Sequence, residues 1–191
     1  MINWQNKKII LGSKSPRRSE LLAQITENFE VRIQDVEEIF DAHLDPRKVP
    51  EYLAKIKAEA LIEKLMEDEI ILTADTIVLL ENQILGKPKS LDDAYEMLQQ
   101  LNGKKHEVIT GCCLKTKQKE RLFSVCTDVY FKNMSLDSLR SYVDKFKPLD
   151  KAGSYGVQEW IGMVGVERIN GSYYNVMGLP VAQLWDEIEN F

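Results

Sequence analysis

The chain has 191 residues, of which 44% are apolar and 29% are charged, and its formal net charge is −5. Such a composition is typical of a soluble globular protein, and the length can bury a full core as one domain or as two lobes. The acidic balance argues against a nucleic-acid polymer or a membrane surface as partner, because proteins that bind these carry a broad basic face.

The first predicted strand and helix meet at a cluster of cations. Residues 9–11 predict a short buried strand, and Ser15-Pro16 predicts a helix start, with a hydroxyl at the N-cap and proline at N1. Lys14, Arg17 and Arg18 then lie at the helix end whose partial positive charge repels cations. This arrangement favours a bound polyphosphate, which would accept from hydroxyl, backbone N–H and guanidinium groups together. A solvated basic turn is the alternative.

The next predicted elements mix strands and helices. Residues 29–34 predict a half-buried strand, 41–50 a loop, and 50 to about 66 a long amphipathic helix. An apolar run over 70–80, interrupted at 74–76, predicts a central strand that is followed by a turn into residues 84–85.

The second half of the chain continues in the same way. Ser90 with Asp93 predicts a capped helix that ends at Asn102-Gly103. The remaining predicted elements are a hairpin of strands 106–116 and 122–131, a helix over 135–145, a glycine-rich loop over 146–162, a second hairpin of strands 164–169 and 173–177 around Asn170-Gly171, and a terminal helix from Val181. The order predicts a mixed sheet surrounded by helices, not a doubly wound Rossmann fold.

Asp75 is the most informative single residue, because it interrupts an otherwise apolar strand. A carboxylate buried there without a partner would be costly. Asp75 therefore either bonds to backbone at a bulge or strand end, or faces a cleft where it binds a metal ion or water.

Several weaker patterns do not point to a site. Lys87 follows a glycine, but Glu81 stands where a P-loop needs its first glycine, and a proline follows the lysine. His43 and His106 are too few and too far apart in the sequence for a zinc site, and the chain has no Ser–His–Asp order of a hydrolase triad.

Cysteine usage and the N-terminus indicate the compartment. Cys112, Cys113 and Cys126 form neither a disulfide framework nor a metal-binding spacing, which favours reduced thiols. The first eight residues lack the apolar region of a signal peptide. We therefore expect a cytoplasmic protein.

A second informative stretch covers residues 151–158. Two glycines flank a Ser-Tyr pair, and Lys151 and Gln158 bracket the segment. An ordinary glycine-rich connection is the alternative, but this density of special residues favours a binding loop.

Together these stretches resemble the Maf family of nucleoside triphosphate pyrophosphatases. The matching segments come in the family order and span nearly the whole chain: residues 13–18, 36–38, 53–58, 74–78, 86–88, 106–111, 150–158 and 173–180. Gly12 stands where alanine is usual and Thr73 where glycine is common, and the sequence Glu159-Trp160-Ile161 is less typical.

The resemblance implies a fold and a reaction. The fold is an α/β fold in which an elongated mixed sheet with flanking helices forms two lobes around a cleft, in a single Maf-like domain over residues 1–191, related to inosine triphosphate pyrophosphatase. The reaction is hydrolysis of a nucleoside triphosphate between the α and β phosphates, with a divalent cation such as Mg²⁺, Mn²⁺ or Co²⁺. A homodimer is a further expectation from the family.

The resemblance also implies roles for individual residues. Asp75 takes the catalytic acidic position, Glu38 lies beside the metal ion or the attacking water, and both are the expected metal ligands. Lys57 and Lys87 complete the predicted catalytic group. The residues assigned to substrate binding are Ser13, Ser15, Arg17, Arg18, Thr76, Lys151 and Gln158.

Residues tied to substrate choice in the family are matched by Arg17, Thr76 and Gln158, and the Tyr-Gly-Val-Gln sequence resembles the dTTP/UTP subfamily. Two alternatives stay open. One is a Maf relative with another preference, such as CTP, pseudo-UTP or 7-methyl-GTP. The other is a non-catalytic nucleotide-binding regulator of cell division, against which the presence of Asp75 together with Glu38 argues.

Overall fold

The computed structural model describes residues 7–191. The chain divides into two compact units. Unit 1 contains the described residues up to Asp75 together with 110–125 and 178–191, and unit 2 contains 76–109 and 126–177. The predicted absence of a signal peptide concerns mainly residues 1–6, which lie outside the described residues.

The secondary structure follows the chain order. The strands are β1 Lys8–Leu11, β2 Phe29–Val31, β3 Glu69–Leu80, β4 Gln83–Leu85, β5 Lys105–Lys115, β6 Glu120–Phe131 and β7 Val166–Asn170. The α-helices are α1 Pro16–Ala23, α2 Val49–Glu59, α3 Leu91–Leu101, α4 Leu136–Phe146, α5 Trp160–Gly165, α6 Tyr173–Met177 and α7 Val181–Glu189. Short 3₁₀ turns cover Pro46–Lys48, Ile62–Lys64 and Ala152–Ser154.

The strands form one mixed sheet in the order β2-β1-β3-β5-β6-β7, and β4 pairs with β3. β1 runs parallel to both β2 and β3, whereas β4 is antiparallel to β3 and β7 is antiparallel to β6. This mixed sheet with its helices confirms the predicted fold class. No helix within residues 7–191 has the length and apolar character needed to cross a bilayer.

In unit 1, helix α2 packs on the sheet through small apolar residues. Ala54 and Ala58 lie on one helical face and pack against Ile10 and Ile71 of the sheet. The Thr73 hydroxyl donates to the Ala54 carbonyl at 2.6 Å.

Gly111 permits this close approach of helix and sheet. A Cβ atom at Gly111 would lie 2.3 Å from the Pro50 carbonyl carbon, closer than packing allows. The position of α2 on the sheet therefore depends on backbone contacts as well as on apolar burial.

The core of unit 2 forms around one apolar cluster. Its fully buried members include Ala94, Leu98 and Leu101 of α3, Leu139 and Val143 of α4, and Val129 of β6. Tyr155 and Val157 of the glycine-rich stretch belong to the same cluster. That stretch is therefore anchored in the core at alternate residues.

Several predicted elements are confirmed. Ser90 Oγ accepts from the Asp93 backbone N–H at 3.1 Å, as a capping residue should. β5 and β6 are neighbours joined by a short connection, in which the Thr116 N–H donates to the Lys119 carbonyl at 2.8 Å. The predicted hairpin is thus present.

Two predictions about β2 and α2 need correction. The strand predicted over 29–34 ends at Val31, and the helix predicted to reach about residue 66 ends at Glu59, before the turn Ile62–Lys64. The predicted central strand over 70–80 is confirmed, because β3 continues through Asp75. Asp75 is therefore a residue within a strand, and its carboxylate needs a partner from another element.

Two local predictions in unit 2 are wrong. The Asn170-Gly171 turn does not join two strands, because residues after it form α6, where Ser172 Oγ accepts from the Asn175 N–H at 3.2 Å. Because the Ser172 hydroxyl caps a helix start here, the residues after the turn form a helix and not the predicted strand. The predicted loop over 146–162 contains the start of α5 and a 3₁₀ turn.

An ion-pair network fixes the start of β3 in unit 1. Arg32 donates to both carboxylate oxygens of Glu69, at 3.0 and 2.9 Å, and Glu69 is only 1% exposed. Glu69 also accepts from the Met66 N–H at 2.9 Å. Hydrogen bonding to Arg32 is the main cause that lowers the pKa of Glu69 below its usual value.

Glu69→Gln should lower the free energy of unfolding by about 2 kcal/mol at neutral pH, because it removes a charged hydrogen bond at a buried site. The pKa of Glu69 is lowered in the folded state, so its contribution is present above the usual carboxyl pKa and is lost as the pH falls through the lowered value. Urea unfolding across this acid range should show the variant and the parent converging. A gap that does not change with pH would contradict this account, and Asp35→Asn, at the exposed ion pair with Lys14, is the control.

Candidate active site

The Ser13–Arg18 turn is held in unit 1 by the Arg18 guanidinium. Arg18 Nη1 donates to the Ala74 carbonyl at 2.7 Å and to Ser13 Oγ at 3.3 Å, and Nε donates to the Gly178 carbonyl at 2.8 Å. The side chain that sequence analysis assigned to phosphate binding therefore also connects the turn to the strand that carries Asp75.

Burial lowers the pKa of Arg18 below its usual value, and the negative charge of Asp75 is the largest opposing influence. An arginine pKa starts so high that the side chain keeps its positive charge at neutral pH. Arg18 is thus a fixed cation close to the backbone of Asp75.

Lys57 brings two carboxylates together. Lys57 Nζ lies 2.5 Å from Asp75 Oδ1 and 2.9 Å from Glu38 Oε1. The two carboxylate oxygens are therefore no farther apart than the sum of these distances. The Lys57 and Asp75 side chains are 16% and 13% exposed, whereas Glu38 is 51% exposed. The ion pair between Lys57 and Asp75 is thus largely shielded from water, whereas the Glu38 carboxylate is open to solvent.

The local structure of β3 and α2 explains why Asp75 and Lys57 come into contact. Side chains two residues apart in a strand share a face, so Thr73 and Asp75 point to the same side of β3. Ala54 and Lys57 are three residues apart and share a face of α2. The Thr73–Ala54 hydrogen bond therefore aligns Asp75 with Lys57 one helical turn farther along.

The other predicted residues of unit 1 lie in the same turn or helix start. The Ser15 N–H donates to Ser13 Oγ at 3.2 Å, and Ser15 occupies the N-cap of α1 without a capping bond from its side chain. The predicted helix start is therefore confirmed, with Ser15 at the N-cap and Pro16 in the first turn, but the Ser15 hydroxyl does not cap the helix. Arg17 lies in the first turn of α1 and is partly buried.

Most of the predicted site residues of unit 2 lie on two neighbouring loops. The Gly153 N–H donates to the Gly86 carbonyl at 3.1 Å, which joins the loop of Lys87 to the glycine-rich stretch. Lys87 and Gln158 are exposed, whereas Lys151 is 9% exposed. Thr76 follows Asp75 in β3 and is partly buried.

Lys151 is held by two carboxylates. Its Nζ lies 2.7 Å from Asp150 Oδ1 and 2.9 Å from Glu159 Oε1. Its assignment as a substrate ligand stays a prediction. Glu159 could not be predicted as a partner of Lys151 from the sequence, because the spacing of eight residues across an irregular loop carries no periodic signal.

His106 is buried in unit 2, where its Nε2 and the Tyr155 hydroxyl are joined by a hydrogen bond of 2.8 Å. Burial lowers the pKa of His106 to about 3. The ring is therefore neutral at physiological pH and does not suit acid–base catalysis there.

The buried cysteines do not suit nucleophilic chemistry. Burial raises the pKa of Cys112 and of Cys113 to about 12. Both thiols therefore stay protonated at neutral pH, and the thiolate is the reactive form.

The acidic residues offer oxygen ligands to a cation. Among residues 7–191, no group of three or more His, Cys, Asp or Glu side chains is arranged to hold a metal ion. Asp75 and Glu38, joined through Lys57, are hard oxygen donors of the kind that Mg²⁺ uses in ones and twos beside substrate phosphates. The residues present fit a divalent cation that takes its other ligands from substrate and water.

Comparison with solved structures supports the fold. The Ham1 protein of Staphylococcus aureus aligns over 95% of this chain and 100% of its own, with a TM-score of 0.55 and 17% sequence identity. At this identity the likeness concerns the fold alone, and it agrees with the predicted fold class.

Sequence comparison identifies the family. Residues 8–191 match the profile described as Maf-like protein. A dTTP/UTP pyrophosphatase of Flavobacterium psychrophilum is 48% identical over 95% of this chain and 93% of its own length. One of the same description from Parabacteroides distasonis is 47% identical over 99% and 98%. The chain belongs to the Maf family.

Arg18→Lys tests the structural role of the guanidinium. Lysine keeps the charge but cannot donate to Ala74, Gly178 and Ser13 from one planar group. We expect the free energy of unfolding to fall by about 2 kcal/mol, measured by urea denaturation. Lys14→Met, which removes an exposed ion pair with Asp35, is the control and should change stability less. Equal losses in both variants would contradict the assignment.

Proposed function

We propose that this protein hydrolyses dTTP and UTP to the nucleoside monophosphate and pyrophosphate. The observation that carries the proposal is the grouping in unit 1, where Lys57 joins Asp75 and Glu38 and where Arg18 contacts the strand of Asp75. Membership of the Maf family supports it, since relatives of 46–48% identity are described as dTTP/UTP pyrophosphatases.

The reaction is a displacement at the α phosphorus. The oxygen of water forms a bond to this phosphorus and loses a proton to the solvent, the bond to the α–β bridging oxygen breaks, and pyrophosphate leaves with the electron pair. Asp75 Oδ1 is occupied by Lys57, so Oδ2 is the oxygen that accepts a hydrogen bond from the attacking water and orients it.

The cations of the site have separate tasks. Lys57 holds Asp75 in place and offsets its charge, so that an anionic substrate can approach. Ser13, Arg17, Arg18 and Lys87 bind phosphate oxygens and stabilise the charge that grows on the leaving pyrophosphate.

Asp75 and Glu38 would hold the divalent cation, Mg²⁺ or alternatively Mn²⁺ or Co²⁺. When bound, such an ion lowers the pKa of a coordinated water and offsets phosphate charge. The protein supplies few carboxylates, so affinity for the ion should depend on the nucleotide.

Gln158 selects the base. Its amide can donate to O4 and accept from N3–H of uracil or thymine at once, whereas cytosine reverses that pattern. Arg17 and Thr76 are further positions of substrate choice.

The reaction takes place in the cytoplasm, a location that the buried free thiols of Cys112 and Cys113 support. The homodimer stays a prediction.

Asp75→Asn should lower kcat for dTTP by at least about a hundredfold, because the amide orients water poorly and lacks the charge. Binding of a non-hydrolysable dTTP analogue, measured by calorimetry with Mg²⁺, should stay within a few-fold of the parent. Asp68→Asn, on the exposed turn before β3, is the matched control.

Two outcomes would contradict the role of Asp75. Loss of analogue binding together with loss of turnover would assign Asp75 to the scaffold. Unchanged turnover would remove it from the catalytic group. A parent protein that binds nucleotide without releasing pyrophosphate would favour the non-catalytic regulator.

Rates on dTTP, UTP, CTP and GTP test base selection, with released pyrophosphate converted to phosphate by an added pyrophosphatase. We expect dTTP and UTP to be preferred, and Gln158→Ala to lower the preference over CTP roughly tenfold. Gln99→Ala, exposed on α3, is the control. Equal rates on all four nucleotides would refute the selection by Gln158.

A further inference from the structure

The loop over residues 151–159 is closed by a chain of polar contacts in unit 2. Glu159 uses both carboxylate oxygens: Oε1 lies 2.9 Å from Lys151 Nζ, and Oε2 accepts from the Tyr142 hydroxyl at 2.6 Å. Tyr142 is 1% exposed, and the Lys151 side chain is 10% exposed. The last residue of the loop is therefore fixed both to its first residue and to helix α4.

Glu159 occupies the N-cap position of α5, where a capping side chain accepts from the N–H groups of the first turn. Its side chain makes no such bond and is turned back to Lys151 and Tyr142 instead. The carboxylate thus stabilises the loop rather than the helix.

Tyr142 is a rigid anchor for this carboxylate. Its ring stacks with Phe146 at a centroid distance of 5.0 Å and with Trp160 at 6.4 Å. Burial, together with the hydrogen bond to Glu159, raises the pKa of Tyr142 well above its usual value. The phenol therefore remains a donor at any physiological pH.

Within the loop, Gly156 packs directly against the side chains of Glu159 and Lys151. A Cβ atom at Gly156 would lie 2.8 Å from the Glu159 carboxyl carbon and 3.0 Å from Lys151 Cε. The Glu159 N–H donates to the Gly156 carbonyl at 3.0 Å, which forms a tight turn around Gln158. Gln158 is exposed, but its neighbour Val157 is 5% exposed in the core.

We propose that Glu159 is a positioning residue for base selection: by joining Lys151 to Tyr142, it fixes the turn from which Gln158 meets the base. The inference rests on the proposed function, because Gln158 is the residue proposed there to read uracil or thymine. An exposed amide on a mobile loop could shift to other positions and accept cytosine. A backbone fixed on both sides limits how far the Gln158 amide can shift along the base edge, and displacements of an ångström are enough to lose such discrimination.

A double-mutant cycle between positions 158 and 159 tests this inference. kcat and KM for UTP and CTP are measured for Glu159→Ala, Gln158→Ala and the double variant. We expect Glu159→Ala to lower the UTP-over-CTP ratio of kcat/KM roughly tenfold, mainly through KM for UTP. Glu159→Gln, which keeps an acceptor oxygen for Tyr142, should give a smaller fall. In the Gln158→Ala background, Glu159→Ala should not change the ratio further.

Local mobility provides a readout that does not depend on activity. Hydrogen exchange of the amides in residues 152–158 should become faster in Glu159→Ala. Asp92→Asn, which breaks an exposed ion pair with Arg140 between α3 and α4, is the matched control and should leave both exchange and ratio unchanged. Thermal unfolding of each variant separates this local loosening from loss of the fold.

The outcomes separate the inference from the proposed function. An unchanged ratio in Glu159→Ala, unchanged exchange, or an equal fall in the Gln158→Ala background would overturn the inference while leaving the proposed function intact. A parent protein that hydrolyses neither UTP nor dTTP would overturn the proposed function and, with it, the link between Glu159 and base selection.

Discussion

The ion pair between Lys57 and Asp75 is the interaction on which the rest of the candidate site depends. Asp75 lies within a strand whose other residues are largely apolar, so its carboxylate loses most of its hydration. Burying a carboxylate without a partner is strongly unfavourable in free energy. The neighbours of Asp75 must therefore supply positive charge. Lys57 supplies this charge at 2.5 Å, and its second contact with Glu38 brings in the other acidic residue.

The residues around this ion pair fix the position of helix α2 against strand β3. The hydrogen bond from Thr73 to the Ala54 carbonyl sets the height of α2 on β3, and Gly111 lets the helix start approach the sheet. Arg18 connects the basic turn to the backbone beside Asp75. Unit 2 uses the same device at Glu159, where one carboxylate serves two donors and fixes a loop. In both units, one charged side chain contacts two partners and helps to fix their positions.

Much of the fold and part of the site could be predicted from local sequence. Apolar runs predicted β1 and β3, and Ser90 with Asp93 predicted the start of α3. Contacts between distant residues could not be predicted in this way: Arg18 is 160 residues from its acceptor Gly178. The prediction of a hairpin at Asn170-Gly171 was wrong for a different reason, since Ser172 caps a helix that forms in place of the second strand.

The coupling between Lys57 and Asp75 in catalysis tests the central claim most directly. It can be measured as a double-mutant cycle of Lys57→Met and Asp75→Asn, followed in single turnovers of dTTP with the enzyme in excess. If the two side chains act as one unit, the double variant should be no slower than Asp75→Asn alone. Losses that add independently would show that Lys57 and Asp75 work separately, and the account would be wrong.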